Sequence, residues 1–218
     1  AYLPHLKDNT PTQIFYGGSS SGKSVFLAQR TILDLMAGGR NYLVIRNVAK
    51  TIRGSVYNEI VKAISDMKLN SFFTILKSEM TITCINGYQI LFCGLDDPEK
   101  IKSITPAKGV ITDVWVEEAT EIEYNAYKQL TKRLRGRSRV IKRVAFSFNP
   151  ILKDHWIYNE FFLDVWEDSK RSYKDNKLSI LKTTYKDNRF LTQQDIEALE
   201  NETDKYYYEV YTLGNWGI

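Results

Sequence analysis

The segment YGGSSSGKSVFLAQR, residues 16–30, contains Gly-x-x-x-x-Gly-Lys-Ser from Gly17 to Ser24. The apolar run QIFYGG, suited to a buried strand, precedes it, and SVFLAQRTILDLM follows with apolar residues at helical spacing. Strand, glycine loop and helix in that order constrain the fold more than any other feature, because this is the context in which such a motif cradles phosphate. An ordinary strand-to-helix turn is the alternative. Gly17 and Gly22 permit backbone conformations that a β-carbon opposes, so successive N–H groups of Gly17, Gly18, Ser19, Ser20, Ser21 and Gly22 can face one anion. The helix N-terminus beyond Gly22 adds partial positive charge. Lys23 is expected to reach the β- and γ-phosphates of a bound nucleotide, and the Ser24 hydroxyl to ligate Mg²⁺.

Strand-like and helix-like stretches alternate through the first 150 residues. NYLVIRN (41–47) reads as a buried strand and RGSVYNEIVKAISDM (53–67) as a helix. Residues 72–94 read as strands separated by turns, with Asn86-Gly87 a hairpin signal. VITDVWVEE (110–118) is a strand ending in acids, and Thr120 with Glu123 forms a capping-box pattern opening a helix. RVAFSFNP (143–150) is a strand closed by Asn149-Pro150. This alternation predicts an α/β fold with a mostly parallel central sheet flanked by helices. Residues 1–150 are assigned to that core and 151–218, rich in aromatics, to a small appendage packed beside the sheet.

The phosphate loop alone does not choose between a kinase, a GTPase and an ATPase. The paired acids do. At the end of an apolar strand, Glu117 is placed to hold Mg²⁺ and Glu118 to orient and deprotonate the hydrolytic water. Asp113 is a weaker magnesium candidate, since only Val110 and Ile111 lead into it as apolar residues. No Asn-Lys-x-Asp sequence, the guanine-reading pattern, occurs. His5 and His155 stand apart from any second metal ligand and read as structural.

Composition narrows the setting. The chain has 218 residues, 43% of them hydrophobic, and a net charge of +4, enough to bury a core without marking an extreme partner. No apolar run reaches the roughly 18 residues of a membrane span, and no secretory signal is legible at the start. Cys84 and Cys93 lie in strand-like text and read as reduced thiols in a cytoplasmic protein. From Lys128 to Arg143 there are eight Lys or Arg and no acid. Such a run is either a solvated face or a set of phosphate contacts.

Several segments carry a family resemblance: GGSSSGKS, YLVIRN followed by IRGSVYNEI, VWVEEATEI, FSFNPILKDHWIYNEFF, TTYKDNRFL and the closing VYTLGNWG. The chain resembles the N-terminal ATPase domain of the large terminase of tailed bacteriophages, the motor that packs double-stranded DNA into a procapsid. The resemblance spans residues 16 to 217. It implies a P-loop NTPase core of the ASCE type, with an additional strand and a catalytic glutamate, and a small C-terminal lid over 151–218. It further implies a nuclease domain that would begin where this chain stops, so no nuclease activity is expected here.

Lys23, Ser24, Glu117 and Glu118 coincide with the family's nucleotide and catalytic positions, and its coupling motif falls on Ser147, Phe148 and Asn149. A plain strand-end turn explains SFNP nearly as well. Many members carry an arginine four residues before the loop lysine, where this chain has Ser19. The missing cation then comes from elsewhere. Lys108, just ahead of Gly109 and about ten residues before the magnesium carboxylate, occupies roughly the place of a family arginine and is the first candidate for donation from a neighbouring subunit. Arg133, Arg135, Arg137 and Arg139 compete with it.

The implied partners are double-stranded DNA, the portal protein, the small terminase subunit and further copies of the chain in a ring on the portal. No membrane is involved, and the implied place is the cytoplasm of the infected host, with transient docking on the procapsid. Two rivals remain at this stage: a nucleotide-gated assembly module with little turnover, and a helicase-like DNA-dependent ATPase.

Overall fold

The computed structural model describes residues 1–96 and 98–217. Near-continuous apolar runs around Ile14, Val44, Val114 and Phe146 suit parallel strands covered on both faces, and each lies in one. In chain order the elements are β1 (Thr12–Gly17), α1 (Lys23–Ala37), β2 (Tyr42–Arg46), α2 (Ala49–Ile52), α3 (Asn58–Asp66), β3 (Phe73–Leu76), β4 (Thr81–Cys84) and β5 (Gln89–Gly94). There follow α4 (Pro98–Ser103), β6 (Asp113–Glu117), α5 (Tyr124–Thr131), β7 (Arg143–Phe148), α6 (Trp156–Phe161), β8 (Ser172–Lys174), β9 (Leu178–Thr183) and α7 (Gln193–Glu200).

The strands form one sheet in the order β3-β4-β5-β2-β6-β7-β1-β9-β8. From β5 to β9 neighbouring strands are parallel, and β3, β4 and β8 add antiparallel edges. Alternate residues of each strand serve opposite faces. Phe15, Val44, Trp115 and Ala145 join one buried cluster with residues of α1 and α3. Ile14, Tyr16, Val114, Phe146 and Phe148 join another with Leu130 of α5, Ile157 of α6 and Trp216.

Three boundaries differ from the sequence reading. The sheet does not end at Pro150: β9 pairs with β1 in parallel register from Thr12↔Leu178 to Gly17↔Thr183. The apolar alternation of LSILKT belongs to the core, although the aromatic-rich text on either side conceals it. The helix expected over 53–67 is regular only in α3, because a π-turn spans Arg53–Tyr57 and Ser55 leaves helical geometry (φ −124°, ψ −107°). The Ser55 hydroxyl donates to the Thr51 carbonyl at 2.7 Å, the local competition that serine offers to a helix. The capping box at Thr120 does not form. A single 3₁₀ turn covers Ala119–Glu121, and α5 starts after Glu123 without a side-chain cap.

At the N-terminal ends of the parallel strands the buried Asp113 carboxylate lies between two guanidinium groups. Arg40 donates to it at 3.0 Å and Arg143 at 2.5 Å. Arg143 also donates to Asp34 at 2.5 Å and to the Asp8 carbonyl at 2.9 Å. Asp113 is therefore a structural counter-ion at the opposite end of β6 from Glu117, not a magnesium ligand. Removing one partner of a buried charged set leaves the rest uncompensated. Asp113→Ala is expected to cost about 3–5 kcal/mol of unfolding free energy, read as a lowered midpoint in urea denaturation; a midpoint unchanged from the parent would show that the network contributes nothing.

Candidate active site

Parallel register brings the C-terminal ends of β1, β7 and β6 together. Glu117 stands opposite Ser147, and Tyr16 opposite Phe148. The additional strand β7 thus lies between the strand of the phosphate loop and the strand of the carboxylates. Beyond β1 the chain turns through Ser20 (φ 56°) and Gly22 (φ 88°). Helix α1 then starts with no side chain capping its first turn. Uncapped N–H groups at a helix start, beside a left-handed turn, form an anion site.

The Lys23 ammonium is buried under this loop. It donates to the Gly18 carbonyl at 2.7 Å, the Gly17 carbonyl at 3.3 Å and the Ser21 hydroxyl at 3.2 Å. Burial pushes its pKa down to about 8, against the upward pull of Glu117 and Glu118. Ser24 donates to one oxygen of Glu117 at 2.6 Å, and the Ser147 hydroxyl donates to the other. Trp115 in turn holds Ser147 through its indole N–H at 2.8 Å. Asn149 donates to the Gly17 carbonyl at 2.8 Å, joining the end of β7 to the loop.

Glu118 has left-handed backbone geometry (φ 53°, ψ 52°), a conformation that costs a non-glycine residue free energy and clusters at functional sites. It lines the cavity beside the loop. Burial raises its pKa first and the neighbouring Glu117 adds to this, while Arg46 and Lys23 oppose the rise. Arg46, at the end of β2, pairs with Glu121 at 3.4 Å and is an electrostatic neighbour the sequence reading missed. The one charge closing the apolar run YLVIR was the signal that could have marked it.

The cavity measures about 390 Å³ and is lined by Ser19 to Val25, Glu117, Glu118, Ser147, Phe148, Asn149, Asn188 and Leu191. Gly17 and Gly18, expected to face the anion, are not among its lining residues. The Gly18 N–H donates to the Thr183 carbonyl at 2.9 Å and the Ser19 N–H to the Tyr211 carbonyl at 2.7 Å. These two donors anchor the loop, leaving the anion to groups further along it. Tyr2 and Asn188 hold the loop from outside, through the Ser21 carbonyl at 2.9 Å and the Ser20 carbonyl at 2.8 Å. Among the described residues no cluster of three or more His, Cys, Asp or Glu could cage a metal.

Lys108 is not brought to this cavity. Its ammonium donates to the Asn86 carbonyl at 2.8 Å and sits 4.6 Å from the Tyr88 ring centre. That hairpin precedes β5, so it lies at the N-terminal ends of the parallel strands, away from the loop. The basic run is not one face either. Arg143 is buried in the ion network, Arg133 donates to the Ile104 carbonyl at 2.7 Å, and Arg137 and Arg139 line a separate cavity of about 150 Å³. His155 caps α6, accepting from the Ile157 N–H at 3.3 Å, and His5 lies 3.4 Å from Asp8. Cys84 and Cys93 are buried and unbridged.

The phage terminase large subunit family model matches residues 9–215. The chain belongs to the phage terminase large subunit family. It is 30% identical over 234 residues to the PBSX phage terminase large subunit of Bacillus subtilis strain 168, covering 99% of this chain and 52% of that protein. It is 31% identical over 205 residues to the terminase large subunit of Bacillus phage SPP1, covering 90% and 45%. This terminase chain thus spans about half the length of the curated relatives it matches. Its fold is that of the large terminase from a thermophilic bacteriophage, with a TM-score of 0.75 at 15% identity, covering 98% of this chain and 50% of that one. The same thermophilic-phage protein in complex with ADP gives a TM-score of 0.74 at 17% identity, covering 95% and 48%.

The closing Gly-Asn-Trp-Gly of this terminase has a physical role. Gly214 takes φ 66°, and a β-carbon there would stand 2.5 Å from the Gly18 nitrogen and 2.7 Å from the Gly17 α-carbon. Trp216 packs on Tyr16 and Phe148, so the segment is pinned directly under the loop. Gly214→Ala is expected to cost more than the roughly 1–2 kcal/mol of a left-handed β-carbon alone, and to weaken nucleotide binding by displacing the loop. Thermal unfolding and nucleotide titration check this; parental values in both would show that the backbone contact is dispensable.

Proposed function

We propose that this chain is the ATPase motor domain of a large terminase, hydrolysing ATP to translocate double-stranded DNA into a procapsid. The observation that carries the reading is the Ser24–Glu117 hydrogen bond, which ties the start of the loop helix to the carboxylate strand while Glu118 faces the same cavity. Among the relatives, the thermophilic-phage large terminase has been solved with ADP and with ATP-gamma-S. Portal protein, small terminase subunit and further copies of the chain in a ring are the partners proposed with it. The working place is the host cytoplasm, with transient docking on the procapsid.

In this mechanism the N–H groups from Ser20 to Ser24 hold the phosphates and Lys23 releases its loop carbonyls to meet them. A hydroxyl and a carboxylate oxygen 2.6 Å apart are hard donors suited to Mg²⁺, which takes few protein ligands and completes its shell with substrate phosphates and water. Ser24 and Glu117 would hold the ion. The ion held there would supply charge neutralisation at the β- and γ-phosphates. Glu118 orients the attacking water and takes its proton. Ser147 and Asn149 touch Glu117 and Gly17 respectively, so loss of the γ-phosphate is passed to them and to Phe148 between. The core is assigned to residues 1–150 together with β8 and β9, and the lid to the segment after β9.

Lys23 and Glu118 are expected to fail differently. Lys23→Ala lowers both ATP binding and turnover. Glu118→Gln keeps binding and lowers hydrolysis by roughly 10²-fold or more. Nucleotide titration beside phosphate-release rates separates the two, and undiminished turnover in Glu118→Gln would sink the assignment.

Lys108 is proposed as a cation donated to the neighbouring subunit's site. Mixtures of Lys108→Ala and Glu118→Gln subunits under assembling conditions are expected to recover hydrolysis that neither has alone. A fully active Lys108→Ala protein, or mixtures that stay inactive, removes Lys108 from the mechanism.

A further inference from the structure

A nucleoside triphosphate brings several negative charges into a cavity whose lining already includes Glu117 and Glu118. Lys23 is the one cation among its described lining residues. Hydrolysis builds further charge on the γ-phosphate and the leaving oxygen, and a preplaced cation there lowers the barrier. Two nearby cations are engaged elsewhere: Arg46 pairs with Glu121 and Lys182 donates to Asn215. Lys62 lines a second cavity that shares Ser24 and Glu117 with this one, and it is not among the residues lining the loop cavity.

The segment between β9 and α7 faces the loop across this cavity. Asn188 works in two directions there. Its amide donates to the Ser20 carbonyl at 2.8 Å, and its carbonyl oxygen accepts the Phe190 N–H at 3.1 Å. The second bond closes a turn with Arg189 at its crown. Capping boxes fix the backbone on both sides, Thr184 with Asp187 before and Thr192 with Asp195 after. Asn188 and Leu191 line the cavity, and the exposed Arg189 lies between them in the chain. Its guanidinium rests 5.1 Å from the ring centre of Phe190, itself 82% exposed, and has no carboxylate partner among the described residues. The shorter asparagine next to it already spans the gap to the loop.

We propose that Arg189 is a catalytic cation acting within its own subunit: it leaves the Phe190 ring, enters the cavity and contacts the γ-phosphate in the transition state. The proposal rests on the ATP-hydrolysis reading above. Arg189 moves no proton. The water oxygen bonds to the γ-phosphorus as the bond to the β–γ bridging oxygen breaks, the water's proton passes to Glu118, and the guanidinium balances the charge on the departing oxygens. Because Arg189 rides on the turn that Asn188 fastens to Ser20, closure of this turn and supply of the cation are one event.

The test uses the full-length chain with steady-state ATP hydrolysis and titrations of ADP and ATP-gamma-S. Arg189→Ala is expected to lower kcat by about 10²-fold or more, with ADP affinity nearly unchanged and ATP-gamma-S affinity reduced. Arg189→Lys is expected to recover part of kcat. A second variant places the charge on the loop, since Ser19 lines the same cavity; Ser19→Arg added to Arg189→Ala is expected to restore hydrolysis. An Arg189→Ala protein that turns over at the parental rate while Glu118→Gln is inactive overturns the proposal and leaves the ATPase reading standing. If Glu118→Gln is also fully active, the ATPase reading falls and this proposal with it. A parallel loss of ADP affinity and kcat that neither lysine nor Ser19→Arg repairs shows a prop for the loop, and overturns the proposal as well.

Discussion

Glu117 accepts one hydroxyl from the first turn of α1 and another from the middle strand β7, and the site depends on this double hold. A carboxylate this buried needs partners for its oxygens. Ser24 and Ser147 supply them and so lock the loop helix, the carboxylate strand and the additional strand into one geometry. Trp115 extends the lock into the core by fixing Ser147 from the buried cluster on the same face of the sheet. A shift of one residue in the β6–β7 register would turn Ser147 away and leave Glu117 unsatisfied, because strand side chains alternate faces.

The two ends of the sheet divide the work. At the N-terminal ends, Asp113 neutralises Arg40 and Arg143 in a buried network that fastens β2, β6 and β7 to α1. At the C-terminal ends, where open parallel sheets present their ligands, the carboxylates are left facing a cavity. The same end carries the left-handed Glu118. Aromatic packing links the ends to the C-terminal segment: Tyr16, Phe148, Phe162 and Trp216 form one cluster under the loop.

Much of this was legible in residue order. QIFYGG and SVFLAQRTILDLM bracket the loop as strand and helix, and DVWVEE ends in its acids where β6 ends. Asn86-Gly87 lies at the β4–β5 hairpin, with Gly87 at φ 89°. The misreadings share a cause. Thr120 with Glu123 satisfies a local pattern, yet the chain there must first turn Glu118 into the cavity. LSILKT looks like part of an appendage until its partner strand β1, more than 160 residues earlier, is in place. Arg143 closes a run of surface-like charges in the text and is among the most buried side chains in the protein.

Local chemistry, then, marked the phosphate loop and the acid pair by itself, because each is written within a few adjacent residues whose spacing carries the physics; the parallel α/β class came from the alternation of strand-like and helix-like text, and the family from resemblance along nearly the whole chain. Tertiary structure alone decided which loop donors remain for an anion, that Asp113 is a counter-ion, that Lys108 lies at the far end of the sheet, and that Asn188 fastens its turn to the loop. Those outcomes depend on contacts between residues distant in the chain, as between Gly18 and Thr183 or Ser20 and Asn188. Sequence periodicity reports which face of an element is buried, but not which distant element covers it.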